Sequence, residues 1–102
     1  MKSMTAESEK RVVEEIETAL SSLGKLKILR LLMKEPSHAF TRYEIGKKIP
    51  LNSRDIKNNL YALFEIGWLK ELKYGNLQKY SINMDHNLVK HLSNFFRDIG
   101  YI

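Results

Sequence analysis

Two prolines and one glycine constrain this chain more than any other feature. Pro36, Pro50 and Gly67 cut the apolar stretch that begins at Leu23 into short helical pieces. Proline removes a helix hydrogen bond and clashes with the preceding turn, and glycine ends a helix by turning left-handed. Pieces this short are marginal alone in water, so they must pack on one another.

The piece before Pro36 spans about 23–34 and carries Leu26, Ile28, Leu29, Leu31 and Leu32. It is apolar nearly all round, which predicts the central buried helix. His38, Ala39 and Phe40 then suggest a short extended segment. Thr41-Arg42-Tyr43-Glu44 is a capping box: the threonine hydroxyl reaches the third helical N–H, and the glutamate reaches back. The helix it opens runs to about Ile49, with Tyr43, Ile45 and Ile49 expected inward. After Pro50 and the turn Leu51-Asn52, either Asn52 or Ser53 suits an N-cap, and Asp55 favours the positive end of the helix dipole.

The helix that follows, about 53–66, has Ile56, Leu60, Leu63 and Phe64 on one face. At 100° per residue, Arg54, Asn58 and Tyr61 point the other way, with Lys57 at the flank. Past Gly67 the period changes. Trp68 to Tyr74 and Leu77 to Ile82 are rich in aromatic and branched residues around Tyr74-Gly75-Asn76, which predicts a β-hairpin. Trp68 and Tyr80 are expected in the core. A last helix, about 86–99, is expected to start from Asp85 as N-cap, with Leu88, Val89, Leu92, Phe95, Phe96 and Ile99 apolar. Upstream, residues 5–20 have helical period, with Val12, Val13, Ile16, Ala19 and Leu20 opposed to a charged face. Val12, Ile16, Ala19 and Leu23 follow a 4-3-4 step like a coiled-coil seam, too short for a true one.

The order helix, helix, short strand, helix, turn, helix, hairpin, helix is mainly α with a small β-hairpin wing. It is a winged helix-turn-helix with extra N- and C-terminal helices. The chain of 102 residues fits one such domain, divided as 1–22, a 23–83 core and 84–102.

Charge is uneven. The chain is formally +5, but residues 1–23 net −2, 24–40 net +3, 41–83 net +4 and 84–102 net zero. The basic middle suits a polyanion, although a solvated lysine-rich surface has the same composition. There is no cysteine, which excludes disulfides and thiolate chemistry. The three histidines are scattered and no glycine-rich phosphate loop is present, so an enzyme is not expected. Neither a cofactor nor a metal is expected. His86 and His91 are five apart and do not share a helix face. No stretch reaches membrane-span length, and the polar, acidic start is unlike a secretory signal. A cytoplasmic, nucleoid-associated protein is the expectation.

Several segments carry a family resemblance. Leu23-Gly24-Lys25-Leu26-Lys27-Ile28-Leu29-Arg30-Leu31-Leu32 looks like the opening core helix of ArsR-like and related archaeal winged-helix regulators. Thr41 through Ile49 resembles their first helix-turn-helix helix, and Asn52 through Leu63 resembles their recognition helix. Ile66-Gly67-Trp68-Leu69 with Tyr80-Ser81-Ile82 resembles the strand-wing-strand segment. The resemblance covers about 23–83 and implies a regulator of double-stranded DNA. Metal-sensing members use cysteine pairs on the first of these helices or an Asp/His/Glu set on the last. This chain has neither. Asn76 stands at the wing tip where such proteins often carry arginine.

The expected DNA-contacting residues follow. Arg54, Lys57, Asn58 and Tyr61 face outward from the recognition helix, with Asn52 and Ser53 at its start. Arg42, Lys47 and Lys48 flank it as phosphate clamps, and Lys73, Asn76 and Lys79 lie on the wing. Asn59 is expected to be structural. The apolar residues Val12, Val13, Ile16, Leu20, Leu88, Leu92, Phe95, Phe96 and Ile99 need cover, which a twofold homodimer would supply. The rival arrangement folds both flanking helices onto their own domain. Rival functions are a protein–protein module of the transcription machinery and a non-specific chromatin or RNA binder.

Overall fold

A computed structural model describes residues 6–102. In chain order the elements are α1 (Ala6–Ala19), α2 (Leu23–Lys34), α3 (Arg42–Lys48), α4 (Ser53–Glu65), β1 (Leu69–Tyr74), β2 (Leu77–Ile82) and α5 (Asn87–Asp98). The expected start of the first helix at residue 5 lies outside the described residues. The mainly helical reading with a hairpin wing matches this order.

Local codes account for most boundaries. Ser22 caps α2 by accepting from the Lys25 N–H at 3.2 Å. Both halves of the Thr41–Glu44 capping box are present, at 3.1 and 2.9 Å. Asn52, not Ser53, caps α4, its Oδ1 accepting from the Asp55 N–H at 2.8 Å. At the other end of α4 Gly67 has φ +82, and the bonds Gly67 N–H to Phe64 O and Trp68 N–H to Leu63 O close the helix. That bond pair needs the left-handed conformation that glycine adopts without strain.

The hairpin is antiparallel, with Lys73 opposite Gln78 and Leu72 opposite Lys79. Phe40 adds one bridge to Tyr80 on the free edge of β2, with N···O distances of 2.8 and 2.7 Å. The extended segment expected near residues 38–40 is therefore real but one residue long.

One core joins every element. It takes Ile28, Leu29, Leu32 and Met33 from α2, Ile45 and Ile49 from the α3 end, and Ile56, Leu60 and Leu63 from α4. Phe40, Trp68, Leu69, Tyr80 and Ile82 close it on the hairpin side, and Ala19, Val89 and Phe96 on the flanking-helix side. Gly24 lets α2 and α4 approach: an added Cβ would lie 2.5 Å from Asn59 Nδ2 and 3.2 Å from Leu51 Cδ1. Asn59 is thus a packing residue, as its inner position suggested.

Three local expectations need correction. Tyr43 is 71% exposed, because it lies two residues, or 200°, from the buried Ile45. Phe64 is 38% exposed and lines the groove between α4 and the hairpin, since the helical core is already filled by Ile56, Leu60 and Leu63. His86, not Asp85, caps α5: its Nδ1 accepts from the Leu88 N–H. Asp85 is engaged elsewhere, its N–H on Asn83 Oδ1 and its carboxylate 2.8 Å from Lys70 Nζ. The 4-3-4 seam is also interrupted, for α1 ends at Ala19 and Leu23 begins a new helix.

A second consequence of the His86 cap is long-range. The other His86 ring nitrogen, Nε2, lies 2.7 Å from Glu15 Oε1. The same oxygen accepts from the Trp68 indole N–H at 2.9 Å. One carboxylate of α1 thereby holds the base of the hairpin and the start of α5.

Ser93 on α5 is fully buried, and its hydroxyl has no hydrogen-bond partner among the described residues. An unsatisfied buried hydroxyl costs stability. Ser93→Ala is expected to raise stability by about 1 kcal/mol, read as a higher urea midpoint at unchanged slope. A lowered midpoint would contradict this.

Candidate nucleic-acid interface

The N-terminal half of α4 stands out from the body of the fold. Ile56 and Leu60 anchor it, so Ser53, Arg54, Lys57, Asn58 and Tyr61 are exposed on the other side. Arg42, the first residue of α3, joins them. Arg42, Ser53, Arg54, Lys57 and Asn58 together line one shallow recess of about 510 Å³.

Two further grooves flank that recess. The one between α3 and α4, about 680 Å³, is lined by Arg42, Tyr43, Lys47, Asn52, Ser53 and their apolar neighbours. The Lys47 ammonium lies 4.7 Å from the Tyr43 ring centroid, a cation–π contact across one helical turn. The groove between α4 and the hairpin, about 500 Å³, brings Lys73 and Gln78 to Arg42, Lys57, Asn58 and Tyr61.

Electrostatics tune this surface. The N-terminus of α4 adds partial positive charge beside Arg54 and Lys57. Glu71 opposes it from the hairpin groove, with Lys73 Nζ at 3.5 Å. Burial pushes the Tyr80 hydroxyl up from its ordinary value, and Glu71 beside it pushes the same way. At the start of α3 the Thr41 N–H bond holds the Glu44 carboxyl below the usual carboxylate range.

Not every expected contact residue shares this face. The Asn52 amide is committed to the cap and to Asp55 Oδ2 at 3.1 Å. Lys79 sits on the opposite side of the hairpin from Lys73, because residues paired across the strands share a face and neighbours alternate. Asn76 is exposed at the two-residue tip. Lys48 lines a separate groove with Lys27, Arg30 and Lys34. Sequence reasoning missed Tyr43, Phe64, Glu71 and Gln78. The hairpin residues could have been found by counting outward from the two-residue turn, which pairs Lys73 with Gln78.

The apolar residues on the flanking helices divide in two. Val13, Leu20, Phe95 and Ile99 are well exposed, at 53, 39, 54 and 60%. Ile16, Leu88 and Leu92 pack partly on the subunit's own core, Val12 is half-buried, and Phe96 is buried within it. Among the described residues no helix is long and apolar enough to cross a membrane.

No protein-family model matches the chain, and no curated protein matches it. Solved structures do. HlyU from Vibrio cholerae superposes with TM-score 0.76 at 16% identity, over 93% of this chain and 97% of that one. The transcriptional repressor BigR from Xylella fastidiosa gives 0.71 at 22%, over 94% and 96%. A homodimeric winged helix-turn-helix DNA-binding domain from Mycobacterium bovis, a possible ArsR-family regulator, gives 0.70 at 22%, over 98% and 90%. These likenesses, which extend over the flanking helices, show that the chain has the winged helix-turn-helix fold.

Proposed function

We propose that the chain is a homodimeric double-stranded DNA-binding protein, a transcriptional regulator and not an enzyme. On this reading α4 enters the major groove, and the hairpin lies along the neighbouring backbone. The observation that carries it is the exposed polar face of α4, where Arg54, Lys57 and Asn58 are joined by Arg42 from α3 and, across the hairpin groove, by Lys73. Four cations, an amide and a helix dipole suit phosphates and base edges together. The fold likeness to a transcriptional repressor and to a homodimeric DNA-binding domain supports the same reading.

Within it, residues 23–83 are the reading domain, and 1–22 and 84–102 pair the subunits. The exposed Val13, Leu20, Phe95 and Ile99 then supply the dimer contact, and Phe96 serves its own core. Twofold pairing would set two α4 helices about one DNA turn, roughly 34 Å, apart. Lys47, Ser53 and Tyr61 contact the backbone, and Asn76 acts from the wing tip. The protein works in the cytoplasm, on the nucleoid, without metal or cofactor.

Selection of bound duplexes from a random pool tests the reading. Enrichment of a two-part palindromic site is expected. Equal affinity for scrambled duplexes would make the protein a general DNA coater, and no binding would favour a protein adaptor. The pairing has its own test. Phe95→Glu is expected to weaken self-association by about 30-fold or more, since it buries an unpaired charge at roughly 2 kcal/mol. Sedimentation of a monomeric wild type, or of an unchanged variant dimer, would remove this interface.

A further inference from the structure

The groove between α2 and the end of α3, about 310 Å³, is lined by Lys27, Arg30, Lys34 and Lys48 among apolar residues and proline. Lys27, Arg30 and Lys34 are three and four residues apart, which places them on one stripe of α2 about 10 Å long. No carboxylate lines this groove, and none of the ion pairs found among the described residues uses these four side chains. Arg30 is held in place: its Nε donates to the Tyr101 carbonyl at 2.9 Å, and its guanidinium lies 5.3 Å from the Tyr101 ring centroid. Four like charges gathered without a counter-charge repel one another, and a polyanion relieves that repulsion.

The patch also lies next to the reading face along α3. Lys47 and Lys48 are neighbours on α3, yet Lys47 lines the α3–α4 groove and Lys48 lines this one. The end of α3 therefore carries one cation toward each of the two grooves. The +3 segment at 24–40 has no role in the reading of α4 and finds one here.

We infer that the Lys27–Arg30–Lys34–Lys48 groove is a second DNA-backbone site, which binds phosphates of the same duplex whose bases α4 reads. This inference rests on the proposed function. It assigns the groove affinity without sequence preference, because a lysine ammonium meets phosphates as a point charge.

The test uses the full chain with Lys27→Gln, Lys34→Gln and Lys48→Gln combined. Arg30 is kept because it holds Tyr101. The probes are the duplex enriched by selection and a scrambled duplex of equal length. At about 100 mM salt, affinity is expected to fall at least about tenfold on both, with their ratio unchanged. The plot of log affinity against log salt should flatten by about 1 for each lysine removed per protomer. A control with Lys25→Gln and Lys70→Gln removes charge away from both grooves and from the pairing helices, and should keep the wild-type slope. Wild-type slope and affinity in the groove variant, or equal flattening in the control, overturns the inference. If Arg54→Ala still lowers affinity in that case, the reading of α4 survives and only this groove is lost. A wild type that binds neither probe removes both. An unchanged melting midpoint shows that the groove variant is folded.

Discussion

With alanine at both Arg54 and Lys57, affinity for the selected duplex falls by about a thousandfold. Both side chains are exposed and line the same recess as Arg42 and Asn58. Each loss is worth about 1 kcal/mol, and a twofold protein suffers each loss twice, which gives about 4 kcal/mol at the complex. Exposed substitutions of this kind change fold stability by no more than about 0.5 kcal/mol. A mobility-shift titration beside a urea melt separates the two effects. Wild-type affinity in the double variant would take both residues out of the contact surface. Asn58→Ala should behave differently and relax base preference more than it lowers affinity for scrambled duplex, because an amide pairs with a base edge where a lysine meets phosphate.

The largest stability effect is expected at Trp68. Its ring is fully buried, and its N–H is bonded to Glu15. Trp68→Ala empties the centre of the core and is expected to cost about 3–5 kcal/mol. That is a large share of the roughly 5–15 kcal/mol available to a domain. Trp68→Phe restores most of the apolar volume but not the N–H, and should recover part of the loss. Equilibrium unfolding in urea reads both. A cost below 1 kcal/mol for the alanine variant would mean that the ring is not the keystone its burial implies.

Elements ruled by neighbours in sequence were legible from the chain. The capping box at Thr41–Glu44, the stop at Gly67 and the two-residue turn at Gly75-Asn76 act over a handful of residues, and they set α3, α4 and the hairpin where the pattern placed them. The outward face of α4 was legible for the same reason, since a helical wheel needs only its own residues. What was not legible depends on contacts across the fold. Glu15 meets Trp68 and His86 across 53 and 71 residues, and no local pattern announces them. Asp85 reads as a good cap until Lys70 takes its carboxylate. Lys47 and Lys48 look alike in sequence, yet α2 draws one into a different groove. Phe64 belongs to the helix pattern, but the hairpin decides how much of it stays wet.

The bonds at Glu15 also tie the first helix to the residue from which the hairpin springs. Trp68 is held by α1 through its indole, by α4 through its N–H on Leu63 and by the far strand through its carbonyl on the Asn83 N–H. There is no slack among these links, each 3.1 Å or less. Losing the Glu15 carboxylate would therefore detach α1 from the foot of the wing while leaving the wing's own bonds to Leu63 and Asn83 intact.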